Sequence, residues 1–239
     1  MNYEIGFMDI SLFHRLIDEI ATYPGRTLVL FRRGESLLHP EFAKMLNYAK
    51  GKFKEIQLAT NASLMDRALA RLIANSVTFV SFSLELPERY QRYRKLDYAT
   101  VLKNVDYLLS INKKSKTQIS IVKTDDTSEE DINSFKNQWL GKVERVRIYE
   151  EHSRDGRFGS LKNSSRARQP CLKPFNDMLI FWDGKVGRCN HDWGEQPLDS
   201  VANKTIREVW QSSAYNQLRK QHLGLTIVDK VCNKCDSWY

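Results

Sequence analysis

Strand-like and helix-like patterns take turns along residues 27–149, and this alternation constrains the fold more than any other feature of the chain. Residues 27–31, 53–59, 77–84, 117–122 and 143–149 read as short buried or alternating strands, separated by helical periodicity at 39–50, 64–75, 98–112 and 128–140. Regular alternation of this kind requires right-handed crossovers and a parallel sheet, either open or curved into a partial barrel. A helix precedes the series: Asp9 caps residues 9–21, with Ile10, Phe13, Leu16, Ile17 and Ile20 on one face. A β/α repeat that opens on its helix lacks a first strand, and the loops after such strands are where these folds place their chemistry.

After Tyr149 the pattern stops. Residues 151–170 are rich in Arg, Ser, Gly and Asn and read as a connector. All four cysteines follow it: Cys171, then twelve residues to Gly184, four more to Cys189, and a final Cys232-x2-Cys235. Residues 178–182 and 185–189 form the arms of a hairpin around the Asp183-Gly184 turn. The hairpin returns Cys189 toward Cys171, a helix over 205–223 follows, and the closing pair completes a set of four thiols. In a reducing compartment such spacing points to a metal or cluster rather than to disulfides. Four thiolates suit a tetrahedral zinc or an iron-sulfur cluster, and spacing does not choose between them.

The 239 residues contain no apolar run of membrane-spanning length and no signal pattern, so a cytoplasmic location is expected. The net charge of +8 is spread over clusters at 89–95, 113–116, 154–168 and 219–222. A basic surface of this sort attracts acidic peptides, phosphorylated metabolites or nucleic acid. No nucleic-acid motif accompanies it, which disfavours the last.

These residues resemble radical S-adenosylmethionine enzymes with a C-terminal SPASM or twitch-type auxiliary-cluster domain. Cys171, Gly184 and Cys189 meet that family's spacing, as do Pro174-Phe175, LIFWDGKV at 179–186, Asp192, Thr205-Ile206 with Val209-Trp210, and Cys232-x2-Cys235-x2-Trp238. Upstream, the stretch from Arg33 to Phe42 resembles the Gly-Gly-Glu-Pro motif, Thr60-Asn61 the Thr-Asn strand end, and Ser81-x-Ser83-Leu84-Glu85 the Ser-x-Asp strand end. The resemblance implies a partial (β/α)6 TIM-like barrel with its first strand missing (1–150), the connector (151–170), and a small hairpin-plus-helix domain for one auxiliary 4Fe-4S cluster (171–239). It implies that Gly34, Glu35, Asn61, Ser83 and Glu85 bind S-adenosylmethionine and that Cys171, Cys189, Cys232 and Cys235 ligate the cluster.

The family's C-x3-C-x2-C loop, which supplies three thiolates to the catalytic 4Fe-4S cluster, is absent, and Ser36 stands where Pro is usual. The expected activity is that of an N-terminally truncated enzyme. With the loop restored it would cleave S-adenosylmethionine reductively to a 5′-deoxyadenosyl radical and abstract hydrogen from a peptide or small molecule, acidic or phosphorylated. Its reductant would be a flavodoxin or ferredoxin. As written, the chain is expected to be inactive alone. Two other classes stay open: a non-catalytic electron-transfer or peptide-binding partner that keeps the auxiliary cluster, and a zinc-stabilised binding protein.

Overall fold

The computed structural model describes residues 5–151, 167–192 and 196–235. Most of the connector, most of the basic run within it and Trp238 lie outside these. The described chain forms two compact units, one of Ala21–Glu150 and the other of Met1–Ile20 with Glu151–Tyr239.

The first unit is the β/α part. Its strands are β1 (Thr27–Val29), β2 (Glu55–Thr60), β3 (Phe79–Ser83), β4 (Lys116–Lys123) and β5 (Arg145–Glu150), and its helices are α2 (Phe42–Ala49), α3 (Arg67–Ser76), α4 (Pro87–Arg94), α5 (Tyr98–Ile111) and α6 (Glu129–Trp139). The strands form one sheet in the order β1-β2-β3-β4-β5, every neighbouring pair parallel. This is the parallel α/β architecture that the alternation predicts.

Period-two alternation gives the sheet two unlike faces. On one, Ile56, Leu58, Val80, Phe82, Ile119 and Ile121 are buried, in a unit whose helices bury Leu46, Ile73, Val105, Leu108 and Phe135. The other is polar. The strand registers align Ala59, Ser81, Gln118 and Arg145 in one row, and Ser83, Ser120 and Arg147 in the next. Gln118 Nε2 donates to Ser81 Oγ at 2.8 Å and Arg145 Nε to Gln118 Oε1 at 2.5 Å, so the polar row is internally bonded.

The helix expected over 39–50 begins at Phe42, after a 3-10 turn at Ser36–Leu38. His39 precedes Pro40 and is therefore extended, with ψ 121°. The α4 helix has no counterpart in the sequence reading, because PERYQRYR carries no apolar stripe.

The second unit holds β6 (Leu179–Ile180), β7 (Lys185–Gly187) and β8 (Asp199–Ser200) in one antiparallel sheet. Gly184 closes the expected hairpin turn with φ +80°, a backbone region that side-chain-bearing residues disfavour. The same unit holds α1 (Ile10–Ala21), α7 (Lys173–Asn176), α8 (Ile206–Trp210), α9 (Ser213–Leu223) and α10 (Lys230–Asn233). The single helix expected over 205–223 is two, since Thr205 caps one and Ser212 caps the next.

The sequence reading placed α1 with the β/α repeats. Leu16, on its apolar face, is buried in the second unit with Val186, Val201, Val209 and Tyr215. Polar contacts add to this: Arg15 donates to the carbonyl of Val201, and Glu19 accepts from the backbone N–H groups of Ile206 and Arg207 at 2.8 and 3.0 Å. Glu19 thus satisfies two N–H groups that the first turn of α8 leaves without helical partners.

Candidate functional site

Three of the expected motifs follow three successive strands at one edge of the parallel sheet, the C-terminal edge where β/α folds collect ligands. The loop after β1 carries Gly34 and Glu35. Gly34 has φ +77°, and a Cβ added there would meet no atom within 4 Å, so its backbone faces open space. Ser36 Oγ donates to the Leu30 carbonyl at 2.7 Å and closes the loop, a bond that the family's proline could not make.

Glu35 is the knot of this edge. Its Oε1 accepts from Leu37 N at 3.1 Å and Thr60 Oγ1 at 2.8 Å, and its Oε2 from Asn61 N at 2.7 Å. The half-buried carboxylate therefore ties the loop after β1 to the end of β2. Thr60 Oγ1 in turn accepts from Ala62 N at 2.9 Å, and Asn61 Oδ1 from Ser63 N at 2.9 Å. The α3 helix does not start at Ser63; its cap is Asp66, whose Oδ1 accepts from Leu69 N at 2.7 Å.

Ser83 ends β3. Glu85, two residues on, is buried, and its Oε1 accepts from Leu86 N at 3.0 Å. Tyr90 was not legible as a site residue. It is fully buried, and its hydroxyl has no hydrogen-bond partner. Burial raises its pKa, and Arg94, Tyr98, Glu35 and Glu85 are its charged or ionisable neighbours. An orphaned buried hydroxyl close to two carboxylates is a feature that a polar ligand would satisfy.

The four cysteines all belong to the second unit, and no disulfide joins them. Strand β7 stops at Gly187, so Cys189 lies just past the hairpin instead of on its return arm. Cys232 sits in α10 and is buried; the other three are half-buried. Cys189 interacts electrostatically with Cys235 and Cys171, and Cys232 with Cys189 and Cys235.

Burial pushes the Cys189 thiol up to about 11, against a backbone hydrogen bond from His191 that lowers it. It also drives Cys232 well up, with Asp229 adding to the effect. Thiols held this way ionise only against a strong local positive charge, which is what a metal or cluster provides.

Among the described residues no three His, Cys, Asp or Glu side chains are disposed to hold one metal ion. A tetrahedral zinc with bonds of about 2.3 Å draws its sulfurs to roughly 3.8 Å of one another. A four-iron cluster binds each thiolate at a separate iron and holds them farther apart.

Buried ionic groups brace the cysteines. Arg188 bonds Asp192 through Nη1 at 2.9 Å and Asp229 through Nε at 2.6 Å, linking the hairpin end to α10. Asp229 Oδ1 accepts from Val231 N and Cys232 N, each at 3.0 Å. Arg168 donates to the carbonyls of Cys232, Asn233 and Cys235 at 2.7, 3.3 and 3.2 Å. His191 N donates to Cys189 Sγ at 3.4 Å. Neither arginine was legible as part of the site, because their partners lie far along the chain.

Residues 2–136 match the Radical SAM superfamily, and residues 171–236 match SPASM, an iron-sulfur cluster-binding domain. The chain belongs to the radical SAM superfamily. It is similar in fold to Streptococcus suis SuiB bound to the precursor peptide SuiA, with 14% identity, a TM-score of 0.75, and coverage of 98% of this chain and 64% of that one. It is also similar to anSMEcpe with bound AdoMet, at 15% identity and a TM-score of 0.69, covering 98% of this chain and 79% of that one. Among curated proteins, the tungsten-containing aldehyde ferredoxin oxidoreductase cofactor-modifying protein of Pyrococcus furiosus is 31% identical over 85 residues, which is 35% of this chain and 24% of that protein. The chain thus spans less than two thirds of SuiB and about a quarter of the curated relative. The comparisons assign the α/β radical SAM fold with its small antiparallel C-terminal unit, and radical SAM and iron-sulfur chemistry at the level of the family.

Proposed function

We propose that this chain supplies the S-adenosylmethionine cradle and the auxiliary 4Fe-4S unit of a radical SAM enzyme acting on a peptide or an anionic small molecule. The observation that carries the reading is the joint placement of Gly34-Glu35, Thr60-Asn61 and Ser83-Glu85 at one sheet edge, in a chain whose separate second unit gathers four thiols. When bound, S-adenosylmethionine and a reduced cluster supply a 5′-deoxyadenosyl radical for hydrogen abstraction. The protein's part is to hold, orient and shield.

Glu35 has three of its acceptor positions taken by Leu37, Thr60 and Asn61. It fixes the loop so that the open backbone at Gly34 faces the methionine amine, and it keeps acceptor capacity for that amine. The Asn61 side chain, Ser83 and the buried Glu85 lie at neighbouring strand ends to meet the rest of the cofactor, with the Tyr90 hydroxyl as a further donor. Cys171, Cys189, Cys232 and Cys235 would hold the auxiliary cluster with no iron left open. That arrangement suits electron relay or support of the substrate region, with reducing equivalents from a flavodoxin or ferredoxin.

The polar face of the sheet favours an anionic substrate. Arg145 and Arg147 are exposed on it, beside Gln118 and Ser120 on the neighbouring strand. No cysteine precedes Cys171 in these 239 residues, so the thiolates of the cofactor-cleaving cluster are not among them.

The test is iron, acid-labile sulfide and zinc per chain after reconstitution without oxygen. About four irons and four sulfides, lost in Cys171→Ala or Cys235→Ala, is the expected result. One zinc without sulfide would overturn the cluster and leave a zinc-stabilised binding protein.

A further inference from the structure

His222 is the least explained buried group in the cysteine-bearing unit. It is 1% exposed, and neither ring nitrogen has a hydrogen-bond partner. An imidazole carries at least one N–H donor in every tautomer, and a buried donor left unmatched is unfavourable enough that natural structures rarely keep one. Something absent from the bare polypeptide has to accept it.

The surroundings point to what that is. Along α9, Tyr215, Leu218 and His222 are buried at i, i+3 and i+7, one face of the helix. At one end of this face the Tyr215 hydroxyl donates to the Gly187 carbonyl at 3.3 Å, two residues before Cys189. At the other, Gln221 Oε1 accepts from Val228 N and Asp229 N, each at 3.0 Å, which pins the end of α9 to the start of the Cys232 turn. His222 interacts electrostatically with Arg168 and Asp229. These two residues are the ones that bond the backbone of Cys232, Asp229 to its N–H and Arg168 to its carbonyl. The orphaned imidazole therefore interacts with the same guanidinium and carboxylate that brace the cysteines.

We infer that the His222 ring N–H donates a hydrogen bond to a sulfur of the auxiliary cluster, either a cysteine Sγ or a cluster sulfide. The inference rests on the cluster assignment proposed above. His222 is then a positioning and tuning residue, not a ligand, since four cysteines already serve the four irons. A donor to sulfur stabilises the more negative reduced cluster, so His222 raises the reduction potential.

The experiment uses the full chain, reconstituted anaerobically, with histidine labelled with ¹⁵N in the ring only. Ring labelling keeps out the His191 backbone N–H, which is already 3.4 Å from Cys189 Sγ. Iron and sulfide are counted first; their absence from the wild-type protein overturns the cluster reading and this inference together. With the cluster present, pulsed EPR of the reduced protein is expected to show a weak ¹⁵N coupling that disappears in His222→Leu. The midpoint potential is expected to move to a more negative value in His222→Leu and to return toward wild type in His222→Gln, whose side chain restores an N–H donor. A reduced cluster with no ¹⁵N coupling, or a coupling unaffected by His222→Leu, overturns the inference while leaving the cluster standing. A coupling as strong as that of an iron-bound imidazole overturns it in favour of ligation.

Discussion

Glu35 shows how one side chain can tie two loops of a sheet edge together. Its three donors come from Leu37 in its own loop and from Thr60 and Asn61 at the end of β2. Charge-assisted bonds of this kind are the stronger sort, and removing the acceptor leaves partly buried donors unmatched. Glu35→Ala is expected to lower stability by about 2 kcal/mol. In denaturant unfolding the midpoint should fall with the slope unchanged, and S-adenosylmethionine affinity should fall with it. A midpoint at the wild-type value would show that the loop holds its shape without the carboxylate. The sequence marks Glu35 by motif alone. Two of its partners lie 25 and 26 residues downstream and become visible only once β1 and β2 pair.

At the scale of elements, α4 is the instructive case. Its sequence is strongly polar, with Tyr90 its one buried residue, and little in its own periodicity would form it. It is held from outside. Arg89 donates to Thr127 Oγ1 at 2.5 Å, Thr124 Oγ1 at 2.5 Å and Asp126 Oδ1 at 2.7 Å, and the Tyr93 hydroxyl donates to Asp126 Oδ2 at 2.6 Å. The Thr124 and Tyr93 hydroxyls, with the Arg89 charge beside them, hold the Asp126 carboxyl down at about 2.

The folded value lies below the ordinary carboxylate value of about 3.9, so the contribution is complete above that pH and lost as pH falls toward 2. Hydrogen exchange of the α4 amides, corrected for intrinsic rates, is expected to speed up on acidification from about pH 5 to below about pH 3. In Asp126→Asn, exchange should already be fast at pH 5 and respond little to acid. Equal protection in both proteins at both pH values would show that another contact holds α4.

The strands were readable because alternation is local, α5 and α6 because their helical periodicity is local too, and α1 also because Asp9 caps it in sequence. The helix α4 was not readable, because its anchors are more than thirty residues away. The break between α8 and α9 was missed for a different reason. The apolar spacing from Ile206 to Leu218 runs straight through Ser212, and only the second cap reveals two helices. His222 was passed over because a lone histidine in a polar helix reads as surface until its burial is known.

In the whole molecule, the chain's first helix completes the unit built by its last third. Leu16 is 4% exposed in the core with Val186, Val201, Val209 and Tyr215, and Arg15 and Glu19 fasten the same helix to the segment that leads into α8. In sequence, Ala21–Glu150 falls between the two stretches, Met1–Ile20 and Glu151–Tyr239, that make up the other unit. Leu16→Ala removes a side chain that these core residues surround, and such a change costs about 2–5 kcal/mol through lost burial and the cavity left behind. That loss should fall on one unit and spare the other. In the reconstituted protein the expected outcome is faster release of iron to a chelator and weaker amide protection in β7 and α9, with protection in β2, β3 and β4 at wild-type levels. Equal loosening of the parallel sheet would mean that the two units unfold as one, and that α1 supports the whole chain rather than the cluster unit.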